Sequence, residues 1–239
     1  MKVDILAIGA HPDDVELGCG GTIAKLISEG KKVAIIDLTE GELGTRGTNE
    51  TRAQEAATAS EILGISAREN LKMKDGFIIN SQEYQFRIIE MIRKYQPEIV
   101  LCNAIDDRHP DHAKAAKLVS DACFLSGLVK IKTDYEGESQ KFWRPKQVFH
   151  YIQWKNIEPD FVMDISGFLD KKIEACLAYK TQFYDPTSTE PMTPIATKDF
   201  LESLTYRVQD LGRLSGVEYA EGFTTEKLLA FKNFEGIIC

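Results

Sequence analysis

The chain of 239 residues lacks the features that mark secreted and membrane-embedded proteins. Its five cysteines are Cys19, Cys102, Cys123, Cys176 and Cys239, and no two of them form a C-x-x-C pair. Reduced core thiols are therefore expected rather than a disulfide framework. No apolar run approaches the length that spans a bilayer, and the N-terminus turns acidic too early for a signal peptide. We expect a cytoplasmic protein that does not bind a membrane.

Positive charge and histidine are also scarce. The chain has 29 Lys and Arg against 37 Asp and Glu, a net charge of −8. That balance argues against nucleic acid as a partner, although it leaves room for a local basic pocket that binds an acidic small molecule. Three of the four histidines fall in two short segments, and the fourth is His150.

Short apolar runs alternate with amphipathic stretches through residues 1–128. The predicted strands are residues 3–9, 32–39, 70–73 (a weak signal) and 98–103, and the predicted helices are residues 21–30, 51–64, 81–97 and 112–127. This alternation predicts an α/β fold, a doubly wound and mainly parallel sheet of the Rossmann type with helices on both faces.

The pattern loosens after residue 128. The expected strands there are residues 146–154 and 160–166, and the expected helices are residues 168–183 and 198–216. No linker or repeat separates this part from the rest. We therefore interpret residues 1–239 as one domain, in which residues 129–239 are an α/β extension that completes the core formed by residues 1–128.

Two acidic loops follow the first and fourth predicted strands. The first reads AIGAHPDDVE (residues 7–16) and the second reads CNAIDDRHPDH (residues 102–112). Strands one and four flank the switch point of a doubly wound sheet, so the loops should face each other across one crevice. Carboxylates crowded at a strand end repel each other, and a bound cation would relieve that repulsion.

The residue types in these loops are those of a catalytic zinc site. His11, Asp14 and His112 can supply three N or O ligands and leave one position open. Asp13 is then a candidate general base for the water at that position. His109 can polarise or protonate the group that is attacked.

Asp111 is a candidate to hold one imidazole in its tautomer. Either loop alone could equally be a helix start, with Asp13, Asp14 or Asp111 as the N-cap. The two loops together favour the metal site. Fe(II), Co(II) or Mn(II) could use the same ligands, so the residues do not decide the metal.

The paired motifs A-H-P-D-D and H-P-D-H resemble the PIG-L/LmbE-like family of zinc-dependent N-acetylglucosaminide deacetylases. Residues 39–47 (TEGELGTRG), 51–56 (TRAQEA) and 219–223 (YAEGF) agree with this. Length and motif spacing are most similar to the members of the bacillithiol pathway, which convert N-acetylglucosaminyl malate to glucosaminyl malate. Mycothiol-type and chitooligosaccharide-type relatives share the motifs.

The resemblance implies one Zn²⁺ per chain on the three ligands named above, with Asp13 as the base. It implies that His109, oriented by Asp111, stabilises the oxyanion or protonates the leaving amine. It further implies a small-molecule amino-sugar conjugate as the partner, and a homo-oligomer, since some relatives are hexamers.

A malate aglycone carries two carboxylates, which an acidic protein must bind with local arginines. Arg52 and Arg108 are the candidates because each lies in or beside a loop at the predicted strand ends. The alternative for Arg52 is an ion pair with Glu50 or Glu55 on the helix surface. Arg108 could instead pair with its neighbours in the loop.

Three further residues are weaker candidates. Glu42 belongs to a loop at the same sheet edge and could lie near the sugar, and Arg46 is a lesser candidate for the aglycone. His150 alternates with aromatic residues along a predicted strand and is interpreted as a core or wall residue rather than a ligand.

Three other functions compete with a deacetylase. A nucleotide-binding module would use Asp37 on a ribose, but the first turn lacks the G-x-G-x-x-G spacing and its acids would repel a pyrophosphate. The G-C-G-G run at residues 18–21 comes too late to supply it. A two-metal phosphoesterase would need more bridging carboxylates, and a non-catalytic scaffold would need no general base.

Overall fold

The computed structural model describes residues 1–231 and residue 233. Its strands are β1 (Ile5–Gly9), β2 (Val33–Thr39), β3 (Ala67–Met73), β4 (Ile99–Cys102), β5 (Asp134–Tyr135), β6 (Glu138–Ser139), β7 (Gln147–Tyr151), β8 (Phe161–Asp164) and β9 (Ala220–Thr225). Its α-helices are α1 (Asp14–Ser28), α2 (Asn49–Leu63), α3 (Gln82–Tyr95), α4 (Pro110–Ser126), α5 (Leu169–Leu177) and α6 (Lys198–Ser215), and a short 3₁₀ turn spans Pro194–Ala196.

Seven strands form one sheet in the order β3-β2-β1-β4-β7-β9-β8, and β5 and β6 form a separate hairpin. The first five strands of that order are parallel, whereas β9 runs antiparallel to both of its neighbours. The predicted mainly parallel α/β class is confirmed. The extension supplies β7, β8 and β9 to the same sheet, and β9, which contains most of the Y-A-E-G-F motif, was not predicted as a strand.

Both faces of the central strands are buried, as their Val- and Ile-rich sequences require. Side chains alternate across the sheet, so Leu6 and Ile8 pack with α3 and α4 on one face. Ile5 and Ala7 pack with α1 on the other face. The strand order reverses between β1 and β4, and this switch point opens a crevice at their carboxyl ends.

Two helices begin earlier than the sequence pattern predicts. α1 starts at Asp14 rather than near residue 21, because the glycine-rich run is helical on both sides of a break at Cys19. α4 starts at Pro110 with His109 as its N-cap, which places Asp111 and His112 in the first helical turn. Proline favours such a first position because its missing N–H would have had no helical partner.

The start of α2 also differs from the prediction. Thr48 is its N-cap, and its side chain and that of Thr51 exchange hydrogen bonds with each other's backbone N–H groups, forming a capping box. β3 begins at Ala67, three residues before the predicted strand.

The four described cysteines, Cys19, Cys102, Cys123 and Cys176, are free and buried, as expected, and Cys239 lies outside the described residues. No helix among residues 1–231 is long and apolar enough to cross a membrane.

Candidate active site

The carboxyl ends of β1 and β4 bring the two predicted loops together. Asp14 Oδ2 lies 3.4 Å from His11 Nδ1, and Asp14 Oδ1 lies 3.2 Å from His112 Nε2. The ring of His109 lies with its centroid 4.5 Å from that of His11 and 5.2 Å from that of His112. The proposed ligands and His109 therefore form one cluster, although 98 residues separate His11 from His109 along the chain (109 − 11).

Asp14 is held by groups from three parts of the chain. Its Oδ2 accepts hydrogen bonds from the backbone N–H of His11 (2.9 Å) and from Asn103 Nδ2 (3.0 Å). Its Oδ1 accepts one from Gln153 Nε2 at 2.7 Å. Burial opposes the ionised form, but His112 and His11 together lower the pKa of Asp14 well below its ordinary value. The carboxylate is thus a fixed anion between two imidazoles.

Two further carboxylates fix the imidazoles from behind. Asp75 Oδ1 lies 2.9 Å from His11 Nε2, and Asp107 Oδ2 lies 2.8 Å from His112 Nδ1. Each imidazole thereby turns its other nitrogen towards Asp14, the arrangement in which a carboxylate sets the tautomer of a metal-binding histidine. Burial lowers the pKa of His112, but Asp14 and Asp107 prevail and raise it to about 9. The negative charge of Asp14 and Asp107 around this ring would also favour a divalent cation there.

The sequence did not predict that Asp75 and Asp107 orient the imidazoles. It indicated Asp107 only as a member of the second loop, and it gave no role to Asp75. The available signal for Asp75 was its place in the K-D-G turn that follows β3, since β3 ends at the same edge of the sheet as β1. The weak prediction for β3 hid that signal.

Asp111 holds an imidazole differently from the expectation. Its carboxylate accepts hydrogen bonds from the backbone N–H groups of Gly76 (2.6 Å) and Ile78 (3.2 Å) and lies 3.7 Å from His11 Nε2. His109 Nδ1 instead accepts a hydrogen bond from the backbone N–H of Asp111 at 3.3 Å. The imidazole that faces the Asp111 carboxylate is therefore that of His11. Asp111 orients His109 through the backbone, because His109 is the N-cap of α4.

Asp13 occupies a strained backbone conformation, with φ 111° and ψ −25°. A non-glycine residue held there costs about 1–3 kcal/mol and is typical of functional sites. This conformation makes Asp13 and Asp14, although adjacent, contact different partners: Asp13 Oδ2 lies 3.1 Å from Arg52 Nη2. Burial raises the pKa of Asp13 to about 7, and the Arg52 guanidinium opposes that rise.

Arg52 was predicted to bind substrate, but its guanidinium mainly contacts the first loop. Besides Asp13, its Nη2 donates to the carbonyl oxygen of Pro12. The alternative ion pair with Glu50 or Glu55 is wrong. The guanidinium pairs with Asp13, Glu50 hydrogen-bonds with Thr48, and Glu55 accepts hydrogen bonds from the backbone and hydroxyl of Thr181. Arg52 still lines the cavity described below.

Of the other residues predicted to bind substrate, one lies at the cavity and two do not. Arg108 is exposed, and its guanidinium carbon lies 4.4 Å from the ring centroid of Trp154. Within its own loop it is the backbone N–H of Arg108 that bonds to Asp107, at 2.7 Å. Glu42 does not line the cavity, because its carboxylate accepts the backbone N–H of Asp75 at 2.8 Å. Arg46 is tied to Ser188 and Glu190.

The contacts of His150 and Asp37 bear on two other predictions from the sequence. His150 is buried and hydrogen-bonds to Asn103 and Glu226, as a wall residue would. Asp37 is bound by the guanidinium of Arg68 through two contacts of 2.7 and 2.8 Å. That carboxylate is not free for a ribose, so the nucleotide-binding interpretation loses its recognition residue.

A cavity of about 300 Å³ opens onto the cluster. The loops after β1 and β4 form one side, and the extension forms the other with Trp154, Phe200, Leu204 and Val208. The rings of Trp154 and Phe200 stack 5.2 Å apart. Arg207 of α6 also lines this wall and had not been singled out from the sequence. An apolar wall facing a few fixed polar groups is typical of a small-molecule site.

The donor atoms fit a divalent cation. One nitrogen from each of His11, His109 and His112 lies within 4.8 Å of the others, and Asp14 contacts two of these residues. A second close group consists of His11, Asp75 and Asp111, but hydrogen bonds from His11 and from backbone N–H groups already engage those carboxylates. We assign them to orienting His11 and not to a second ion.

Comparison with known proteins gives a consistent family. Residues 6–123 match the model of the family described as PIG-L, GlcNAc-PI de-N-acetylase. The chain is 29% identical over 229 residues to the diacetylchitobiose deacetylase of Thermococcus kodakarensis, covering 91% of this chain and 81% of that protein. It is 36% identical over 125 residues to the uncharacterized deacetylase YaiS of Escherichia coli, covering 50% of this chain and 67% of that protein.

Other similarities extend the comparison. The structure of the conserved protein TT1542 from Thermus thermophilus is 34% identical, has a TM-score of 0.87, and covers 98% of this chain and 99% of that one. A 4-oxalmesaconate hydratase from Pseudomonas putida is 28% identical over 197 residues, covering 75% of each chain. The family match, the identities to these relatives and the shared fold show that this chain is an enzyme of the PIG-L (LmbE-like) family of metal-dependent deacetylases.

Proposed function

We propose that this enzyme uses Zn²⁺ to remove acetate from an N-acetylglucosaminide, and that its substrate is N-acetylglucosaminyl malate. The observation that carries the deacetylation is the pair Asp13–Asp14. One carboxylate lies between two imidazoles, and its neighbour faces an arginine at the edge of a cavity.

In this proposal His11, Asp14 and His112 hold the cation. When bound there, a divalent cation supplies Lewis acidity for the amide carbonyl and lowers the pKa of water. Asp75 and Asp107 keep the two imidazoles turned towards it. Burial of all five side chains keeps bulk water from competing for these contacts.

Asp13 takes the proton of the attacking water as the water oxygen bonds to the amide carbon. Arg52 fixes the carboxylate at 3.1 Å and favours its ionised form, which a base requires. His109 is only partly buried and stands beside the other two imidazoles, so it is the group with access to the substrate nitrogen. Its Nδ1 accepts the backbone N–H of Asp111 and burial lowers its pKa, so His109 contributes a hydrogen bond and not a proton of its own. The proton that Asp13 took passes to the nitrogen, the C–N bond breaks, and acetate and the free amine leave.

Two arginines support an acidic aglycone. Arg108 lies over Trp154, and Arg207 donates to the backbone carbonyl of Gln153, the residue before that tryptophan. Both line the cavity, and neither forms an ion pair with a carboxylate among the described residues. Guanidinium groups with free N–H groups suit planar carboxylates, and malate carries two. The stacked rings of Trp154 and Phe200 offer the apolar surface against which a sugar ring packs.

The test is a panel of N-acetylglucosaminides with malate, inositol or a second amino sugar as aglycone. Release of free amine is measured with zinc-loaded and chelator-treated enzyme. We expect the malate conjugate to have the highest kcat/KM and chelation to abolish turnover. A preference for the neutral aglycones would contradict the malate assignment, and no amine release from any conjugate would contradict deacetylation.

The similarity to the Pseudomonas putida hydratase supports a second candidate, addition of water to the double bond of an unsaturated di- or tricarboxylate. The same two arginines would bind its carboxylates. Loss of ultraviolet absorbance from 4-oxalmesaconate on addition of the metal-loaded enzyme would favour this reaction over amide hydrolysis.

A further inference from the structure

Helix α1, which carries Asp14, is broken in its middle. Cys19 has φ −146° and ψ 23°, so the regular helical conformation is interrupted five residues after the helix begins (19 − 14). Such a break takes backbone N–H and C=O groups away from their usual helical partners, and buried groups of this kind must find others. Here the break is completely buried.

One buried ion pair satisfies both sides of the break. The Glu221 carboxylate of β9 accepts the backbone N–H groups of Gly21 (3.1 Å) and Thr22 (2.7 Å), which open the second half of the helix. The Lys172 ammonium of α5 donates to the carbonyl oxygen of Leu17 at 2.6 Å, at the end of the first half. Lys172 Nζ and Glu221 Oε1 are 2.5 Å apart. Carboxylate and ammonium thus each lie at the helix end whose dipole attracts them.

The glycines of the G-C-G-G run make room for this arrangement. A Cβ atom on Gly18 would lie 2.1 Å from a ring carbon of Tyr151, and one on Gly21 would lie 2.7 Å from Ile165. A Cβ on Gly20 would meet the Lys172 side chain at 3.4 Å. The run therefore serves close packing of the broken helix against β7, α5 and the segment after β8, and not phosphate binding.

The first half of α1 connects this ion pair directly to the catalytic turn. The backbone N–H of Leu17 donates to the carbonyl oxygen of Asp13 at 3.0 Å, and the carbonyl of the same Leu17 accepts from Lys172. Both charged side chains are at most 2% exposed, so their desolvation is costly and an apolar pair of similar size would pack without it. A purely structural role in the core does not require these charges.

We propose that Lys172 and Glu221 are positioning residues that set the orientation of Asp13 and Asp14 through the first turn of α1. The pair hydrogen-bonds to the backbone that carries those carboxylates and not to the carboxylates themselves. Both side chains also line the cavity, so zinc affinity, which needs no substrate, is the direct measure of the positioning role. Removal of the pair should weaken metal binding and lower kcat.

The test is the double variant Lys172→Met/Glu221→Gln, which removes both charges and keeps similar shapes. Zinc affinity is measured by chelator competition, and kcat and KM are measured well below the melting temperature. We expect zinc affinity and kcat each to fall about 10-fold or more. Glu221→Asp, which keeps the charge but shortens its reach, should show the same losses to a smaller extent and covers the case in which the double variant does not fold.

Arg93→Met is the matched control. Arg93 is also a buried cation that donates to carbonyl oxygens, those of Ser126, Leu128 and Ile131, but these lie at or just beyond the C-terminal end of α4. The Arg93→Met variant should have a lower melting temperature but parental zinc affinity and kcat. If the Lys172 and Glu221 variants fold and also keep parental zinc affinity and kcat, the proposal is wrong. The kcat measurement rests on the proposed deacetylation, whereas the zinc measurement does not, so the two failures can be told apart.

Discussion

The two sides of the cavity are built on different principles. On the side of β1 and β4, the polar side chains are mostly buried and form a closed set of mutual contacts, such as Asp75 with His11 and Asp107 with His112. On the other side, the extension supplies an aromatic and apolar wall. Arg207 of that wall and Arg108, which reaches Trp154 from the second loop, form no ion pair with a carboxylate among the described residues. A substitution on the first side would disturb several contacts at once and so the geometry of the site. A substitution in the apolar wall would disturb few other contacts, so this wall can differ between enzymes and set substrate choice.

Asp13→Asn gives the largest expected effect and tests the closed side most directly. The amide keeps the shape of the side chain and can still contact Arg52, but it cannot accept the proton of the attacking water. We expect kcat to fall by about 10²–10⁴-fold with zinc content unchanged. Amine release and metal analysis on the same sample measure both, and full turnover by this variant would refute the base assignment.

The carboxylates behind the imidazoles come next. Asp107→Asn replaces a charged partner of His112 Nδ1 with a neutral amide, so the ring loses part of its orientation and basicity. We expect zinc affinity or activity to fall about 10–100-fold. Asp106→Asn in the same loop is the matched control, because Asp106 pairs with Lys155 and not with an imidazole. Equal losses in the two variants would mean that the loop, rather than the His112 contact, is being measured.

The arginines of the open side should affect binding and not chemistry. Arg207→Met keeps the apolar stem but removes the charge, and Arg108→Met does the same beside Trp154. For each we expect KM for the malate conjugate to rise about 10-fold, near 1.4 kcal/mol, with kcat and the KM of a neutral conjugate unchanged. If both conjugates respond equally, the arginines do not bind the aglycone carboxylates.

The smallest effect should come from a residue outside both sides. Ser81 is the N-cap of α3, and its hydroxyl accepts the backbone N–H of Tyr84 at 3.2 Å. Ser81→Ala should lower the free energy of unfolding by about 1 kcal/mol in denaturant titrations. Because α3 contributes no residue to the cavity, kcat and KM should stay at the parental values. A change in either would show that the scaffold and the site are more tightly linked than their contacts indicate.

The sequence predicted more of the scaffold than of the contacts. The β-α alternation indicated the parallel sheet and its switch point, because hydrophobic periodicity reports burial locally. The break in α1 and strand β9 escaped prediction. The sequence placed the glycine run at the start of the first helix, but it could not show that Lys172 and Glu221, from distant segments, satisfy backbone groups at a break within that helix. Antiparallel strands such as β9 can have short, mixed patterns that resemble loops.

The sequence by itself determined which chemistry the site can offer, since imidazoles and carboxylates follow the two strands that a doubly wound sheet brings together. Only the tertiary structure decided which carboxylate faces which imidazole. Asp111, Asp75 and Asp107 are chemically alike, although Asp107 and Asp111 share the second loop and Asp75 follows β3. Their roles depend on distances to the imidazoles that differ by about an ångström. Arg52 likewise bound the catalytic turn rather than its helix neighbours, because a buried carboxylate competes for a guanidinium more strongly than an exposed one.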